Sequence, residues 1–175
     1  MKFAFETEYN HKALTVMAKA LRRTVRNKKS RRSHIIGWLL VVLSVFLVFF
    51  TGEKGVFEFR KLINALVAAV LAVTLILEDR INGWIAAKRM LKGTEKATAV
   101  FDTENPVSFT SRTEAGISEF FYDRIKAVAE TEEYFVFILS LNHAQIYDKS
   151  SLSEKPEDFR RFIEEKTATE IITVK

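Results

Sequence analysis

The sequence predicts an α+β protein in which a two-helix transmembrane hairpin is joined to an antiparallel β-sheet closed by a C-terminal helix. Two apolar segments, Ser33–Gly52 and Leu62–Leu77, contain no Asp, Glu, Lys or Arg. Six short runs rich in β-branched and aromatic residues follow them, as is typical of strands. A final segment has helical periodicity and clear helix-end signals. The 175 residues therefore have room for one small domain beside the hairpin.

The two apolar segments have the length and composition of membrane-spanning helices. The twenty residues of the first rise about 30 Å as an α-helix, which matches the hydrocarbon core of a bilayer. The sixteen residues of the second rise about 24 Å, so Arg60 and Lys61 would extend toward the headgroups. Helices in lipid are favoured over core helices of a soluble bundle, because core helices normally keep a polar stripe. The predicted hairpin covers residues 33–77, with spans at 34–51 and 61–78.

Basic residues beside the spans predict the orientation of the protein. Eight of them and no acid lie between residues 19 and 32, and five more follow the second span. Lys and Arg close to a span are retained on the cytoplasmic side of the membrane. We therefore expect a multi-pass protein of the cell membrane with both termini in the cytoplasm.

The charge is distributed unevenly along the chain. Residues 1–100 have 18 basic and 7 acidic side chains, whereas residues 101–175 have 9 and 15. Because the positive charge is concentrated beside a span, topology explains it more simply than nucleic-acid binding, which is not expected. Affinity for anionic lipid is the further interpretation. The candidate lipid contacts are Arg22, Arg23, Arg26, Lys28, Lys29, Arg31 and Arg32.

Residues 1–32 are expected to form a strand followed by a basic amphipathic helix. Lys2–Tyr9 alternates apolar or aromatic residues with mostly polar ones, which predicts the strand. Asn10 is suited to cap a helix in which apolar residues recur at spacings of three and four as far as Val25. That helix would either lie on the membrane surface or pack on the sheet domain.

The second span is expected to continue as a helical linker over residues 78–93, and residues 94–175 are expected to form the sheet domain. Gly93 is suited to follow the end of the linker helix. The spacing of the strand-like runs predicts an antiparallel meander. These runs are 97–102, 107–111, 117–122, 125–131, 134–141 and 143–149.

The C-terminal part of the sheet domain predicts one helix and one short strand. The helix covers Ser153–Lys166, with Ser153 as its cap and Pro156 near its first turn. Its early acidic residues complement the positive end of the helix dipole. Glu170–Val174 is the short strand.

A set of mostly apolar and aromatic residues, with a few polar ones, recurs in a particular order between residues 101 and 159. They are Phe101-Asp102, Tyr122, Ile125, Val128, Glu130-Thr131, Tyr134 to Phe137, Ala144 to Lys149, and Phe159. This order resembles the YcxB-like family of bacterial membrane proteins. The resemblance implies that the cytoplasmic part is a pleckstrin-homology-like antiparallel barrel or sheet. Family members often have a proline before the lysine that corresponds to Lys149, whereas this chain has Asp148.

The sequence contains no recognisable catalytic or metal site. It has no cysteine, and its three histidines are far apart without metal-ligand spacing. Acidic pairs such as Glu132 and Glu133 are expected to be solvated. Lys149 adjoins Ser150, but adjacency in sequence does not place a base on a nucleophile. We therefore expect no catalytic residue, metal or cofactor, and no enzyme.

The polar and small residues of the spans predict contacts between helices. Asn64 lies near the end of its span and is expected to hydrogen-bond the neighbouring helix. Small residues would let the two helices, or two copies of the protein, approach closely, so a homo-oligomer is one expectation. The candidate helix–helix contacts are Asn64, Ala65, Ala68, Ala69 and Ala72.

These features favour a membrane-anchored binding or scaffold protein. Its cytoplasmic domain would dock a protein segment or sense the inner leaflet of the bilayer. The acidic balance of residues 101–175 favours a protein partner over lipid headgroups for that domain. The alternative is an accessory subunit of a membrane transport or export assembly, whose spans pack on the helices of a partner.

Overall fold

The computed structural model describes residues 2–50 and 59–174, which form two compact units. Lys28–Ile81 is one unit, here called the hairpin unit. The chain up to Asn27 and from Asn82 onward is the other, here called the sheet unit. The elements in chain order are β1 (Lys2–Glu8), α1 (His11–Arg23), α2 (Asn27–Phe50), α3 (Phe59–Ile76), α4 (Glu78–Arg89), β2 (Lys96–Asp102), β3 (Ser108–Thr113), β4 (Gly116–Phe121), β5 (Ala127–Glu130), β6 (Tyr134–Ile138), β7 (Ala144–Asp148), α5 (Pro156–Thr167) and β8 (Ile171–Thr173).

The strands form two four-stranded sheets, in the orders β1-β2-β3-β4 and β7-β6-β5-β8. Among the described strands, every pairing is antiparallel except that of β5 with β8, which is parallel. The predicted α+β class and the antiparallel strands are confirmed. A closed barrel is not formed by the described strands, because each sheet ends in an unpaired edge instead of joining the other into a ring.

The first sheet includes the N-terminal strand. β1 pairs with β2 along its whole length, from Lys2 opposite Asp102 to Glu8 opposite Lys96. The predicted boundaries had assigned these two strands to separate segments, 1–32 and 94–175. Two strands that are far apart in sequence thus lie side by side. The segment that forms the hairpin unit lies between them along the chain.

An aromatic core lies between the two sheets and α5. It contains Phe3 and Phe5 of β1 together with residues of β2, β3, β5, β6, β7 and α5. Alternation along β1 and β2 directs every second side chain into this core, where the side chain of Phe5 is fully buried. Burying one phenylalanine contributes about 1.5–3 kcal/mol. The other core aromatics are Phe101, Phe109, Tyr122, Phe135, Phe137, Tyr147, Phe159 and Phe162.

A second apolar cluster covers the opposite face of β5, β6 and β7. Leu21 and the buried alanines Ala13 and Ala20 of α1 pack there against residues such as Val136 and Ile146. The sheet is therefore buried on both faces, which explains the unbroken apolar run of β6. Of the two expected placements for α1, the structure has it packed on the sheet.

The helix ends match the expected signals only in part. The side chain of Asn10 accepts a hydrogen bond from the backbone N–H of Ala13 at 2.9 Å, so Asn10 caps α1 as predicted. Pro156 begins α5, also as predicted. The expectation for Ser153 is wrong, because Lys155 occupies the cap position and Ser153 Oγ instead accepts from the N–H of Ala4 at 3.3 Å.

The hairpin unit contains α2 and α3, both of which are long and apolar enough to cross a membrane. Most of their large apolar side chains are exposed, including Phe49 at 77% and Leu39 at 63%. The final residue of the first predicted span, residue 51, lies outside the described residues. α3 ends at Ile76, and a bend at Leu77 separates it from α4.

Candidate functional site

The strand β4 forms an open edge of the first sheet. It pairs with β3 on one side, with Ser108 opposite Phe121 and Thr113 opposite Gly116. No described strand pairs with its other side. Its side chains are mostly exposed, with Ile117 at 63% and Phe121 at 44%. An exposed edge of this kind presents backbone N–H and C=O groups to any further strand.

A cleft of about 230 Å³ lies on the core-facing side of β3 and β4. Phe120 packs against the aromatic core, and the side chains beyond it at this end of the sheet border open space. The cleft has no charged residue in its described lining. Residues that line it include Tyr9, Ser111, Thr113, Ser118, Phe120 and Gln145.

The hydrogen bonding of the cleft is incomplete. The Tyr9 hydroxyl donates to Gln145 Oε1 at 2.6 Å, and Gln145 Nε2 lies 3.2 Å from His143 Nε2. Burial raises the pKa of Tyr9 to about 12, so its hydroxyl stays protonated at neutral pH. Ser111 is only 5% exposed and lies opposite Ser118 across β3 and β4. Neither serine hydroxyl has a hydrogen-bond partner among the described residues, so both are available to a ligand.

A buried ion cluster lies at the other end of the sheet unit. Glu130 accepts from Lys149 Nζ at its Oε1 and from Arg160 Nη2 at its Oε2, each at 2.5 Å. Lys149 Nζ also donates to the carbonyl oxygen of Thr131 at 2.6 Å and lies 4.7 Å from the ring centre of Phe135. The glutamate side chain is 8% exposed and the lysine side chain 14%. The cluster therefore ties β5, the end of β7 and α5 together.

The ion cluster contains some of the residues on which the family resemblance rests. Glu130, Thr131 and Lys149 are separated in sequence but meet in space. Lys149 is held by Glu130, and the hydroxyl of Ser150 donates to Asp148 Oδ1 at 2.7 Å. Lysine and serine are thus engaged with separate carboxylates. The pairing of Glu130 with Arg160 was missed, because nothing local in the sequence relates β5 to α5.

The structure places the candidate lipid contacts in different surroundings. Arg26 Nε donates to the carbonyl oxygen of Leu141 at 2.5 Å, and its guanidinium also contacts the Asn142 side chain, so it holds the turn between β6 and β7. Arg22 is half-buried and Arg23 exposed in the last turn of α1. Four further basic residues are exposed in the first turns of α2, namely Lys28, Lys29, Arg31 and Arg32.

The candidate helix–helix contacts divide between two faces of α3. Ala68 is 7% exposed, and Asn64 and Ala72 are half-buried on the same side. Ala65 and Ala69 are exposed on the outer side. Asn64, Ala68 and Ala72 are four residues apart, a spacing that keeps side chains on one helix face.

Two contacts in the first half of α2 were not anticipated. His34 Nε2 lies 2.6 Å from Glu78 Oε2, which connects α2 to the start of α4. The backbone of Gly37 approaches Leu75 so closely that a Cβ atom there would lie 2.7 Å from Leu75 Cδ2. His34 was the sequence signal that could have indicated the contact with Glu78, because a polar residue at the border of an apolar span requires a partner.

Over the parts of the chain that the structure describes, no group of three or more His, Cys, Asp or Glu side chains is arranged to hold a metal ion.

The fold and these sites define a class: an α+β unit with an open edge strand, joined to two helices that could each cross a membrane. Residues 108–165 match the family model described as YcxB-like protein, which confirms the resemblance over that segment. The matched segment extends from β3 into α5 and includes β4 and all three members of the ion cluster. No curated protein and no solved structure matches the chain.

Proposed function

We propose that this protein is a membrane-anchored docking module whose β4 edge binds an extended segment of another protein. The open edge of β4 is the observation on which the proposal rests. Strand addition provides affinity through backbone hydrogen bonds and specificity through alternate side chains. The cleft beside β4 has free hydroxyl groups that alternate side chains of such a segment would reach.

The anchor in this proposal is the hairpin unit. α2 and α3 cross the cell membrane, and both termini lie in the cytoplasm. The exposure of their apolar side chains supports this arrangement, because such a surface is stable in lipid and not in water. Anionic headgroups would contact the exposed Lys28, Lys29, Arg31 and Arg32, whereas Arg26 is engaged with the sheet unit.

The sheet unit in this proposal is a pleckstrin-homology-like domain with α5 as its closing helix. Phe159, Phe162 and Ile163 of α5 are buried in the aromatic core, which supports that role. Domains of this kind bind ligands at strand edges as well as at loops, so the fold is compatible with docking at β4.

Site-specific photocrosslinking of the full-length protein in its native membranes tests docking at β4. A photoreactive amino acid at Ile117 should capture a separate protein, whereas the same group at the exposed Leu141 should not. Neighbouring N–H groups on an antiparallel strand point in opposite directions. One of the two variants Ser118→Pro and Glu119→Pro therefore removes an outward N–H without disturbing β3, and it should lose the adduct while keeping its circular dichroism spectrum.

Several outcomes would contradict docking at β4. Equal capture at Ile117 and Leu141 would indicate non-specific contact. If the adduct still forms in both proline variants, strand addition is not the mode of binding. Capture of only a second copy of the chain would replace the proposed partner by self-association.

A second candidate function is an accessory subunit of a membrane transport or export assembly. The exposure of Ala65 and Ala69 on the outer face of α3 favours it, because small residues let a partner helix approach closely. Replacing both by Leu should release the protein from such an assembly on native gels. Replacing Val70 and Val73, which are also exposed, by Leu is the matched control, because those substitutions add less volume.

A further inference from the structure

The two faces of β4 present different chemistry to an added strand. Alternation along the strand places Ile117, Glu119 and Phe121 on the outer face. Ser118 and Phe120 lie on the inner face, where both line the cleft. A strand that pairs with β4 must place its own side chains alternately beside these two rows.

The outer row has an acid between two apolar side chains. Glu119 is exposed, and its Oε1 accepts from Ser108 Oγ at 2.5 Å. No ion pair of Glu119 is formed by the described residues. A Lys or Arg directly opposite Glu119 on an added strand would supply the missing cation, with apolar residues opposite Ile117 and Phe121.

The inner row ends in two hydroxyl groups that face the cleft. Ser111 and Ser118 are directly opposite each other, and neither hydroxyl hydrogen-bonds another described residue. The Ser111 hydroxyl is not among the fully buried oxygen atoms that lack a partner, so it reaches the open space of the cleft, where a polar group of a ligand can hydrogen-bond it. The side chain of an added strand opposite Ser118 enters the cleft beside this pair. A short uncharged polar side chain such as Ser, Thr or Asn fits the size and the neutral lining of the cleft.

A second copy of β4 is a poor occupant of this edge. Directly opposite residues of an antiparallel pair lie on the same face, so only two central registers keep the inner and outer rows matched. One places Glu119 opposite Glu119 of the other copy, and like charges in that position are destabilising. The other places Ile117 opposite Glu119, an apolar side chain against a carboxylate. Another protein is therefore the favoured source of the strand.

We propose that the segment bound at β4 has a basic residue opposite Glu119 and, next to it, a short polar residue that hydrogen-bonds the Ser111–Ser118 pair. Apolar residues lie opposite Ile117, Phe120 and Phe121. In an antiparallel addition the segment has the order apolar, apolar, basic, short polar, apolar. This inference rests on the proposed function, because it specifies the chemistry of the partner.

Peptide binding to the full-length protein in phosphatidylcholine nanodiscs tests the inference. The probe is a fluorescent peptide with the central sequence Val-Leu-Lys-Thr-Val, and the comparison peptide has Glu in place of Lys. Fluorescence anisotropy should show that the Lys peptide binds about fivefold more tightly than the Glu peptide. Glu119→Lys should reverse that preference, and Glu132→Lys, the same charge change at an exposed turn, should leave it unchanged.

The Ser118→Val variant tests the inner row separately. It should abolish the preference for the Thr peptide over a peptide with Val at that position. A retained circular dichroism spectrum in each variant shows that the sheet is intact.

The outcomes separate this inference from the proposed function. Equal binding of all peptides, with the Ile117 crosslink retained, would overturn the inference and leave strand docking in place. Binding of none of the peptides with that crosslink retained would also overturn it. Loss of both peptide binding and the crosslink would overturn the inference together with the proposed function.

Discussion

The two units differ in the exposure of the same residue type, phenylalanine. In the sheet unit Phe5, Phe101 and Phe137 are fully buried, whereas Phe49 and Phe50 of the hairpin unit are 77% and 72% exposed. The sheet unit buries its apolar side chains in its own core. The two helices of the hairpin unit leave most of their large apolar side chains exposed, and both are long and apolar enough to cross a membrane. Hydrophobic sequence alone therefore does not distinguish a core from an anchor.

Alkaline pH should have the largest effect, and it should act on the sheet unit alone. All four tyrosines lie in that unit, and burial is the first cause that raises the pKa of each. The folded state keeps these protons above pH 10, where the unfolded state releases them, so stability is complete below pH 10 and falls as the pH rises toward 12.

Phenolate absorbance and circular dichroism, measured together in detergent micelles, check the effect of alkaline pH. Phenolate formation should coincide with loss of strand signal, while the helices of the hairpin unit persist. Titration of all four phenols near pH 10 with no loss of structure would contradict the buried environment.

Removal of a buried aromatic ring should destabilise the sheet unit far more than removal of an exposed one in the hairpin unit. Phe101 lies at the centre of the core, with its ring 4.3 Å from that of Phe109 and 5.0 Å from that of Phe159. Phe101→Ala should destabilise the sheet unit by about 4 kcal/mol. Phe49→Ala, the same substitution on the exposed surface of α2, should leave the urea midpoint of the sheet unit unchanged. A similar loss in both variants would show that the two units unfold together.

The Glu130 ion cluster of the sheet unit and the His34–Glu78 contact of the hairpin unit should also respond differently. Glu130→Ala would leave Lys149 buried without its carboxylate, which should cost about 3 kcal/mol. Glu78→Ala removes the partner of His34, but the side chains of that pair are 34% and 27% exposed, so the loss should be less than about 1 kcal/mol. Urea denaturation of both variants provides the measurement. Equal losses would mean that exposure does not govern the strength of these pairs.

The smallest predicted difference concerns two close approaches between helices. A Cβ atom on Gly83 of α4 would lie 2.8 Å from the backbone of Thr15 in α1, and backbone cannot rotate away. Gly83→Ala should therefore be net destabilising by about 1 kcal/mol, even after the gain in helix propensity. Gly37→Ala meets only the end of the Leu75 side chain, which can change rotamer, so it should be neutral or stabilising. Thermal unfolding of the two variants tests this order.

Local signals predicted most elements but not their partners. The Asn10 cap, the Pro156 start of α5 and the alternating strands depend on residues a few positions apart. The strand after α5 was also predicted, but its parallel pairing with β5 was not. Ser153 was assigned the wrong role because its hydrogen-bond partner, Ala4, lies at the far end of the chain.

The candidate site was predictable only in outline. Periodicity predicted a strand near residues 117–122, yet it could not indicate that this strand ends the sheet with one side open. Likewise Glu130 and Lys149 belong to the family pattern in the sequence. Their contact with each other and the contact of Glu130 with Arg160 were not predicted, because they depend on tertiary packing. The helix contacts at Asn64, Ala68 and Ala72 lie on one face, but which face is inward depends on the neighbouring helix.

The two apolar helices, the basic flank and the alternation of the strands follow from local sequence, because each arises from chain geometry and from interactions within a few residues. The pairing of β1 with β2, the open edges of the sheets and the cleft beside Ser111 and Ser118 are features of the tertiary structure that no local pattern indicated. Those features depend on which distant surfaces pack together. Many pairings satisfy the same local pattern, and the packing of the whole core selects among them.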